Sequence, residues 1–239
     1  MFFRKSPDQS LPIDIHSHLL PGIDDGVKSV KESIEAIEGL MKLGFKGCVT
    51  TPHFYEEVYP NDERSVLALG EEMIHEIKKR SLDFELQVAG EYFIDTCLLE
   101  KIKSGVPLNS FGKKYVLVET SFMEKPQIFE EVIFELRTAD YQPVLAHPER
   151  YQYLFESPNL AQEWNDQGLL MQVTTGSLAG IYGKGPQKLA RNFIDMNIVN
   201  FVGSDLHATR QLQGLAKGMT TKHYRKVVKT PLLNYSLAS

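Results

Sequence analysis

The apolar, strand-like runs of this chain end, one after another, in histidine or carboxylate. Ile13-Asp14-Ile15 stops at His16-Ser17-His18, and Cys48-Val49-Thr50-Thr51 stops at Pro52-His53. Val88-Ala89-Gly90 leads into Glu91, Val116-Leu117-Val118 into Glu119, and Val144-Leu145-Ala146 into His147. Phe201-Val202-Gly203-Ser204 leads into Asp205-Leu206-His207. Segments long enough for helices lie between these runs. Strands that alternate with helices and stay apolar along their length form a parallel sheet buried on both faces. Polar groups at nearly every strand end then collect on one rim, as in a β/α barrel. A doubly wound open sheet would gather them at a single switch point instead. Six of seven expected strands carry such a group, which predicts an α/β fold closed into a TIM-like barrel.

The expected strands lie near 12–16, 47–51, 84–90, 115–119, 142–147, 169–174 and 198–204. A helix over 29–43 opens on Ser29 with Glu32 three positions later, carries Val30, Ile34, Ile37 and Met41 at helical spacing, and stops at Gly44. Residues 62–80, 126–139 and 186–196 repeat the scheme, and weaker helical patterns lie near 96–104 and 158–167.

A chain of 239 residues suits one barrel, which runs to ~250 residues in a single domain. No linker or low-complexity run marks a second domain. The division expected is an N-terminal extension at 1–10, a barrel at 11–210 and a basic C-terminal tail at 211–239, packed on the barrel or partly disordered. No window approaches ~18 consecutive apolar residues and the start of the chain lacks a signal-peptide pattern, so no membrane insertion and a cytoplasmic location are expected. Cys48 and Cys97 are far apart, which argues against a thiolate metal site. Imidazole and carboxylate suit manganese, iron or zinc.

The net charge of −5 is uneven. Residues 209–239 carry Arg210, Lys217, Lys222, Arg225, Lys226 and Lys229 with no acid, a local +6 that leaves −11 on the remainder. An acidic body excludes nonspecific nucleic-acid binding, which needs a basic face. The basic segment reads as a solvated or packed terminal helix, or as a dock for an acidic or phosphorylated partner.

His16 and His18, one pleat apart, share a strand face and can clamp one ion, and Asp205 and His207 repeat that spacing on the last strand. Glu91 and Glu119 follow the third and fourth strands, where a buried carboxylate needs a cation or a metal. Asp24 and Asp25 follow the turn Pro21-Gly22-Ile23. One of them reaches an ion while the other caps the helix near Ser29, and spacing does not separate the two outcomes. Arg150, three residues after His147, suits a phosphate by its planar fork, or else pairs with Glu149 or another acid. Tyr55 and Tyr92 belong to a set of aromatics at the strand ends, with Phe54, Phe93, Phe122, Tyr151 and Tyr153. That set either packs the barrel mouth or grips a flat substrate ring. His75 and His223 read as structural or exposed.

The assembled motifs resemble the polymerase and histidinol phosphatase (PHP) superfamily. They are Asp14-Ile15-His16-Ser17-His18-Leu19-Leu20-Pro21-Gly22-Ile23-Asp24-Asp25-Gly26, Thr51-Pro52-His53, Glu91-Tyr92-Phe93, Leu117-Val118-Glu119, Ala146-His147-Pro148-Glu149-Arg150-Tyr151 and Gly203-Ser204-Asp205-Leu206-His207. More narrowly, they are similar to its bacterial protein-tyrosine phosphatases of capsule and exopolysaccharide loci, over roughly residues 11–210. The resemblance implies a distorted (β/α)7 barrel with three divalent ions, commonly Mn2+. It implies one ion held by His16, His18, Glu91 and Asp205, a second by Glu91, His53, Glu119 and His147, and a third by Asp25, Glu119 and His207. It also makes Arg150 the phosphate-binding arginine, and Arg210 the nearest candidate for a second. The implied reaction is phosphotyrosine hydrolysis by a metal-activated hydroxide, with His207 or a water as general acid. Its implied substrate is the tyrosine-rich tail of a bacterial autophosphorylating kinase. The chain has no C-x5-R thiol-phosphatase sequence. The rivals are a small-metabolite phosphomonoesterase such as histidinol phosphatase, a phosphodiesterase, and a non-catalytic phosphoprotein-binding barrel.

Overall fold

The structure, a computed structural model, describes residues 11–238, so the extension expected at 1–10 lies outside the described residues. In chain order the elements begin with β1 (Ile13–Asp14), α1 (Val30–Leu43), β2 (Gly47–Thr50), β3 (His53–Phe54) and α2 (Glu63–Lys79). Next come β4 (Glu85–Val88), β5 (Glu91–Phe93), α3 (Thr96–Lys103), β6 (Tyr115–Glu119), α4 (Phe129–Thr138) and β7 (Gln142–Ala146). The chain continues through α5 (Asn159–Asp166), β8 (Leu170–Thr174), α6 (Thr175–Leu178), α7 (Lys184–Asp195), β9 (Phe201–Gly203), α8 (Leu212–Met219) and α9 (Lys222–Val227). Short 3-10 turns lie at Pro148–Arg150, Gln152–Leu154, Thr209–Gln211 and Leu233–Leu237.

Helix α1 begins and ends as its sequence dictates. The Ser29 hydroxyl accepts from the Glu32 amide, and Gly44 stops the helix in the left-handed region at φ 101°. Ile34, Ile37 and Leu40 are buried beneath it.

Every strand pairing is parallel, but the ladders fall into two sheets rather than one. A three-stranded sheet runs β1-β2-β4 and a six-stranded sheet runs β3-β5-β6-β7-β8-β9. Among the described residues, no ladder of these strands closes them into the single seven-stranded barrel expected. The strands expected at 47–51 and 84–90 end at Thr50 and Val88, and the short strands just beyond them, β3 and β5, join the second sheet. Pro52 has no amide to continue a ladder, and the Gly90 amide turns aside to Asn109 O at 3.0 Å. The sheets still touch: Ser17 bridges Leu206 in parallel, and the Asp205 amide donates to His16 O at 2.8 Å.

Strand residues alternate between two apolar clusters. Val116, Val118, Leu145 and Met171 pack toward the helices. Leu117, Val144, Ala146 and Phe201 join Ile13, Ile15 and Val49 on the other face. Period-two alternation with both faces apolar leaves the ladder ends as the place where buried polar side chains converge.

The segment after β9 closes over this frame. Leu215, Tyr224, Val227 and Leu232 are buried in the larger cluster. Asn234 is fully buried, its Oδ1 accepting from the Val202 amide at 3.0 Å and its Nδ2 donating to Ile13 O at 3.1 Å and Val202 O at 2.8 Å. One side chain thus stitches the first and last strands together.

Candidate metal centre

At or just beyond the ends of β1, β2, β4, β6, β7 and β9 the chain delivers five imidazoles and four carboxylates to one place. They form four interlocking groups: His18 with Asp25, His53 and His207; His16 with His18 and Glu91; His16 with His147 and Asp205; His53 with Glu91 and Glu119. All nine residues expected as ligands fall within these groups. The grouping differs in detail from the expected one, because Asp25 lies with His53 and His207, at 3.4 and 3.3 Å, rather than with Glu119.

Glu91 is the hub. Its Oε2 lies 3.1 Å from His16 Nε2, 3.3 Å from His18 Nε2 and 3.3 Å from His53 Nδ1, while its Oε1 lies 3.0 Å from His147 Nε2. Two ligands of one ion, each bonded at ~2.0–2.2 Å, stand roughly 3 Å apart. These separations fit that spacing. His53 Nδ1 sits 2.9 Å from Glu119 Oε1 without hydrogen-bonding geometry, and is a buried nitrogen without a bonded partner. Nitrogen and oxygen lone pairs that crowd together without aligning on each other fit a shared cation.

Two of these residues are held in strained backbone. His147 has φ 35° and Asp205 φ 55°, left-handed values that cost L side chains of order 1 kcal/mol or more. Both lie just past a strand end, His147 after β7 and Asp205 after β9.

Hydrogen bonds fix the rings from behind. Asp24 Oδ2 lies 2.8 Å from His18 Nδ1 and accepts from the His53 amide at 3.2 Å, while its Oδ1 accepts from the Gly26 amide at 2.8 Å. The aspartates therefore divide their work: Asp25 joins the cluster and Asp24 orients a ring, while Ser29 caps α1. Gln172 Oε1 lies 2.8 Å from His16 Nδ1, a role the sequence reading missed. Its signal was a buried amide in the apolar strand Leu-Met-Gln-Val-Thr. Such backing partners set ring orientation, and their loss weakens metal binding roughly 10- to 100-fold. Asp24→Asn is expected to raise the Kd for divalent metal by that factor in a competitive chelator titration, with the fold retained.

The electrostatics are those of a cation site. Burial opposes the charge on Glu91, yet His16, His53 and His147 outweigh it and hold the carboxyl well below its usual range. Burial likewise opposes ionisation of Asp205, and His16, His18 and His207 overcome it. Bonds to His207 and His53 pull Asp25 down. Burial and His18 oppose protonation of His53, but Glu91, Asp25 and Glu119 push its pKa up to about 10. Raised affinities for protons on His16, His18 and His53 compete with metal, and metal binding there must release those protons. Because the His53 proton is bound below about pH 10, apparent metal affinity should rise with pH across 6–9. Isothermal titration in buffers of differing ionisation enthalpy would show net proton release at pH 7, and none if the rings were already neutral.

Arg150 resolves to an ion pair with Asp205, not Glu149, its Nη1 lying 2.6 Å from Asp205 Oδ2. The guanidinium is sandwiched 4.4 Å from the Phe122 and Tyr182 ring centres. Glu149 turns inward to the Thr174 amide at 2.9 Å and the Ser177 hydroxyl at 2.7 Å. Tyr55 is partly exposed and stacks on Phe93 with centroids 4.2 Å apart. Tyr92, expected to contact substrate, is 1% exposed, stacks on Phe54 and accepts from the Asn109 amide at 2.7 Å. Strand parity explains the correction: Glu91 and Phe93 share one face of β5, so Tyr92 faces the core. Arg210 is exposed on the turn after His207 and makes no ion pair among the described residues. His75 is exposed and His223 half-buried, both outside the cluster.

Fold and site together define a parallel α/β protein built round a histidine–carboxylate cluster able to hold metal, with an arginine at its edge. Residues 12–230 match the profile of the CpsB/CapC family of capsular polysaccharide synthesis, and the chain belongs to that family. It is 31% identical to tyrosine-protein phosphatase YwqE of Bacillus subtilis (strain 168), over 82% of this chain and 77% of that one. It is 33% identical to the CapC protein of Staphylococcus aureus at the same coverage. A crystal structure from work on YwqE of B. subtilis and CpsB of Streptococcus pneumoniae, described as unique metal-dependent tyrosine phosphatases, superimposes with TM-score 0.80. That match has 27% identity and covers 95% of both chains. Among the described residues no helix is long and apolar enough to cross a membrane.

Proposed function

We propose that this chain hydrolyses phosphotyrosine in protein substrates using divalent ions, manganese foremost, held by His16, His18, Asp25, His53, Glu91, Glu119, His147, Asp205 and His207. The observation that carries this reading is the Glu91 carboxylate, whose two oxygens lie within 3.3 Å of ring nitrogens from four histidines. A buried anion so surrounded suits a bridge between cations. The similarity to named tyrosine phosphatases supports the substrate class.

When bound, the ions supply Lewis acidity toward phosphoryl oxygens and a nucleophile at neutral pH. Arg150, fixed between two rings, turns its fork to the phosphoryl group and balances charge that develops during transfer. The departing phenolate takes its proton from a water or, where no ion occupies that ring, from His207, which is partly exposed beside Asp25 at 3.3 Å. A phenol of pKa ~10 needs less such help than an alkoxide. Tyr55 on Phe93, and Phe122 across the site, offer faces for the tyrosyl ring. Arg210, on the same rim, is the second arginine in this reading.

The same reading treats the two sheets as one distorted (β/α)7 barrel over 11–210. The Ser17–Leu206 bridge and the His18 amide bond to Leu206 O at 2.9 Å support that closure. The basic segment 211–239 is then an appendage that seals its base. The substrate inferred from the family is the phosphorylated tail of a bacterial autophosphorylating tyrosine kinase. The test joins elemental analysis of the purified protein to phosphotyrosine-peptide hydrolysis with and without EDTA. Activity that survives complete metal removal rejects the reading.

A further inference from the structure

A groove of about 690 Å³ lies on the flank of the molecule, between α7, α9 and the stretch that follows the Gln152–Leu154 turn. Its volume falls in the ~300–1,000 Å³ range of ligand sites. Lys184, Lys188, Arg191 and Asp195 line it from α7, at spacings of four, three and four that place them on one helical face. Asp195 is neutralised by Lys226 at 2.7 Å. Lys184, Lys188 and Arg191 pair with no carboxylate among the described residues, and Arg191 Nε is buried without a partner. His223 of α9 adds an ionisable ring, and Phe155, 40% exposed, forms an apolar wall.

Helix α7, which lines this groove, also packs against the Pro148–Arg150 turn that carries the phosphate-binding arginine. Tyr182, two residues before Lys184, covers the Arg150 guanidinium at 4.4 Å. Helix α7 begins two residues after that ring, so its cations follow the phosphate-binding arginine's cover within a short stretch of chain. From Lys184 to Arg191 the helix rises about 10 Å, the span of about three extended residues.

We propose that this groove binds acidic residues flanking the phosphotyrosine of the protein substrate. The inference rests on the proposed activity for its phosphotyrosine. The cation track and its charge complement supply the rest. A short acidic segment matches a positive strip set in a chain of net charge −5. A long nucleic acid would overrun the strip and meet the acidic body. Exposed charge pairs at ~0.5–0.7 kcal/mol each make two lysines account for roughly a 5- to 10-fold effect on binding.

The test uses the full chain loaded with manganese and the variant Lys184→Gln/Lys188→Gln, both positions being exposed. Three substrates are compared: a phosphotyrosine peptide with flanking Asp and Glu, the same peptide with Asn and Gln, and p-nitrophenyl phosphate. The variant should raise KM for the acidic peptide roughly 5- to 10-fold at unchanged kcat, and leave the other two substrates unaffected. Equal kinetics on the acidic peptide, or an equal loss on all three, overturns the proposal. Fluorescence anisotropy of the unphosphorylated acidic peptide reads the groove independently of turnover. Weaker binding to the variant supports docking even if hydrolysis fails, in which case only the proposed activity falls. No difference between the two proteins, or tighter binding of a single-stranded oligonucleotide than of the peptide, overturns it.

Discussion

Glu91→Gln is expected to reduce phosphotyrosine hydrolysis by at least ~10³-fold and to lower the number of bound metal ions, with the fold preserved. The substitution keeps shape and volume and removes only the anion. That anion faces His16, His18, His53 and His147 at 3.0–3.3 Å, so several ion positions lose their shared counter-charge together. Residual imidazole sites would retain less metal, visible by elemental analysis of protein dialysed against metal-free buffer. Circular dichroism separates this result from unfolding. A variant with normal metal content and rate would remove Glu91 from the centre.

Arg150→Ala is the complementary case: a rate loss of roughly 10²- to 10³-fold without loss of metal. The guanidinium supplies a planar, permanently charged fork and stacks on two rings, so Arg150→Lys should recover little, since an ammonium offers neither property. Lysine recovery to near the parent rate would mean that charge alone suffices and that the Phe122–Tyr182 sandwich is incidental. Removing Arg150 also frees Asp205, which lies 2.6 Å from it, so a modest change in metal affinity accompanies the variant. The ratio of rate loss to affinity loss therefore distinguishes it from Glu91→Gln.

The elements were legible wherever periodicity and punctuation coincide. The helix expected at 29–43 appears at Val30–Leu43, because a serine cap and a glycine stop bracket a clean apolar stripe. The convergence of histidines and carboxylates was legible because parallel strands deliver their ends to one rim. Sheet continuity was not, because pairing resumes past Pro52 and Gly90 in two short strands, at His53 and Glu91, that the apolar runs do not mark. Tyr92 was misplaced for a related reason: proximity to a ligand in sequence says nothing of parity, and one residue's shift turns a side chain to the opposite face. Asp24 and Asp25 were indistinguishable by spacing, and only their bonds to His18 and His207 separate them. Tyr182 left no trace, since its place over Arg150 depends on the path of a loop rather than on any repeat.

The Asn234 stitch has a consequence for how the molecule is made. A ribosome releases residue 13 long before residue 234, yet β1 receives that bond only from the later residue. The nascent polypeptide can pair its opening strand with β2 early, but the seam between first and last strands closes only once nearly the whole chain has emerged.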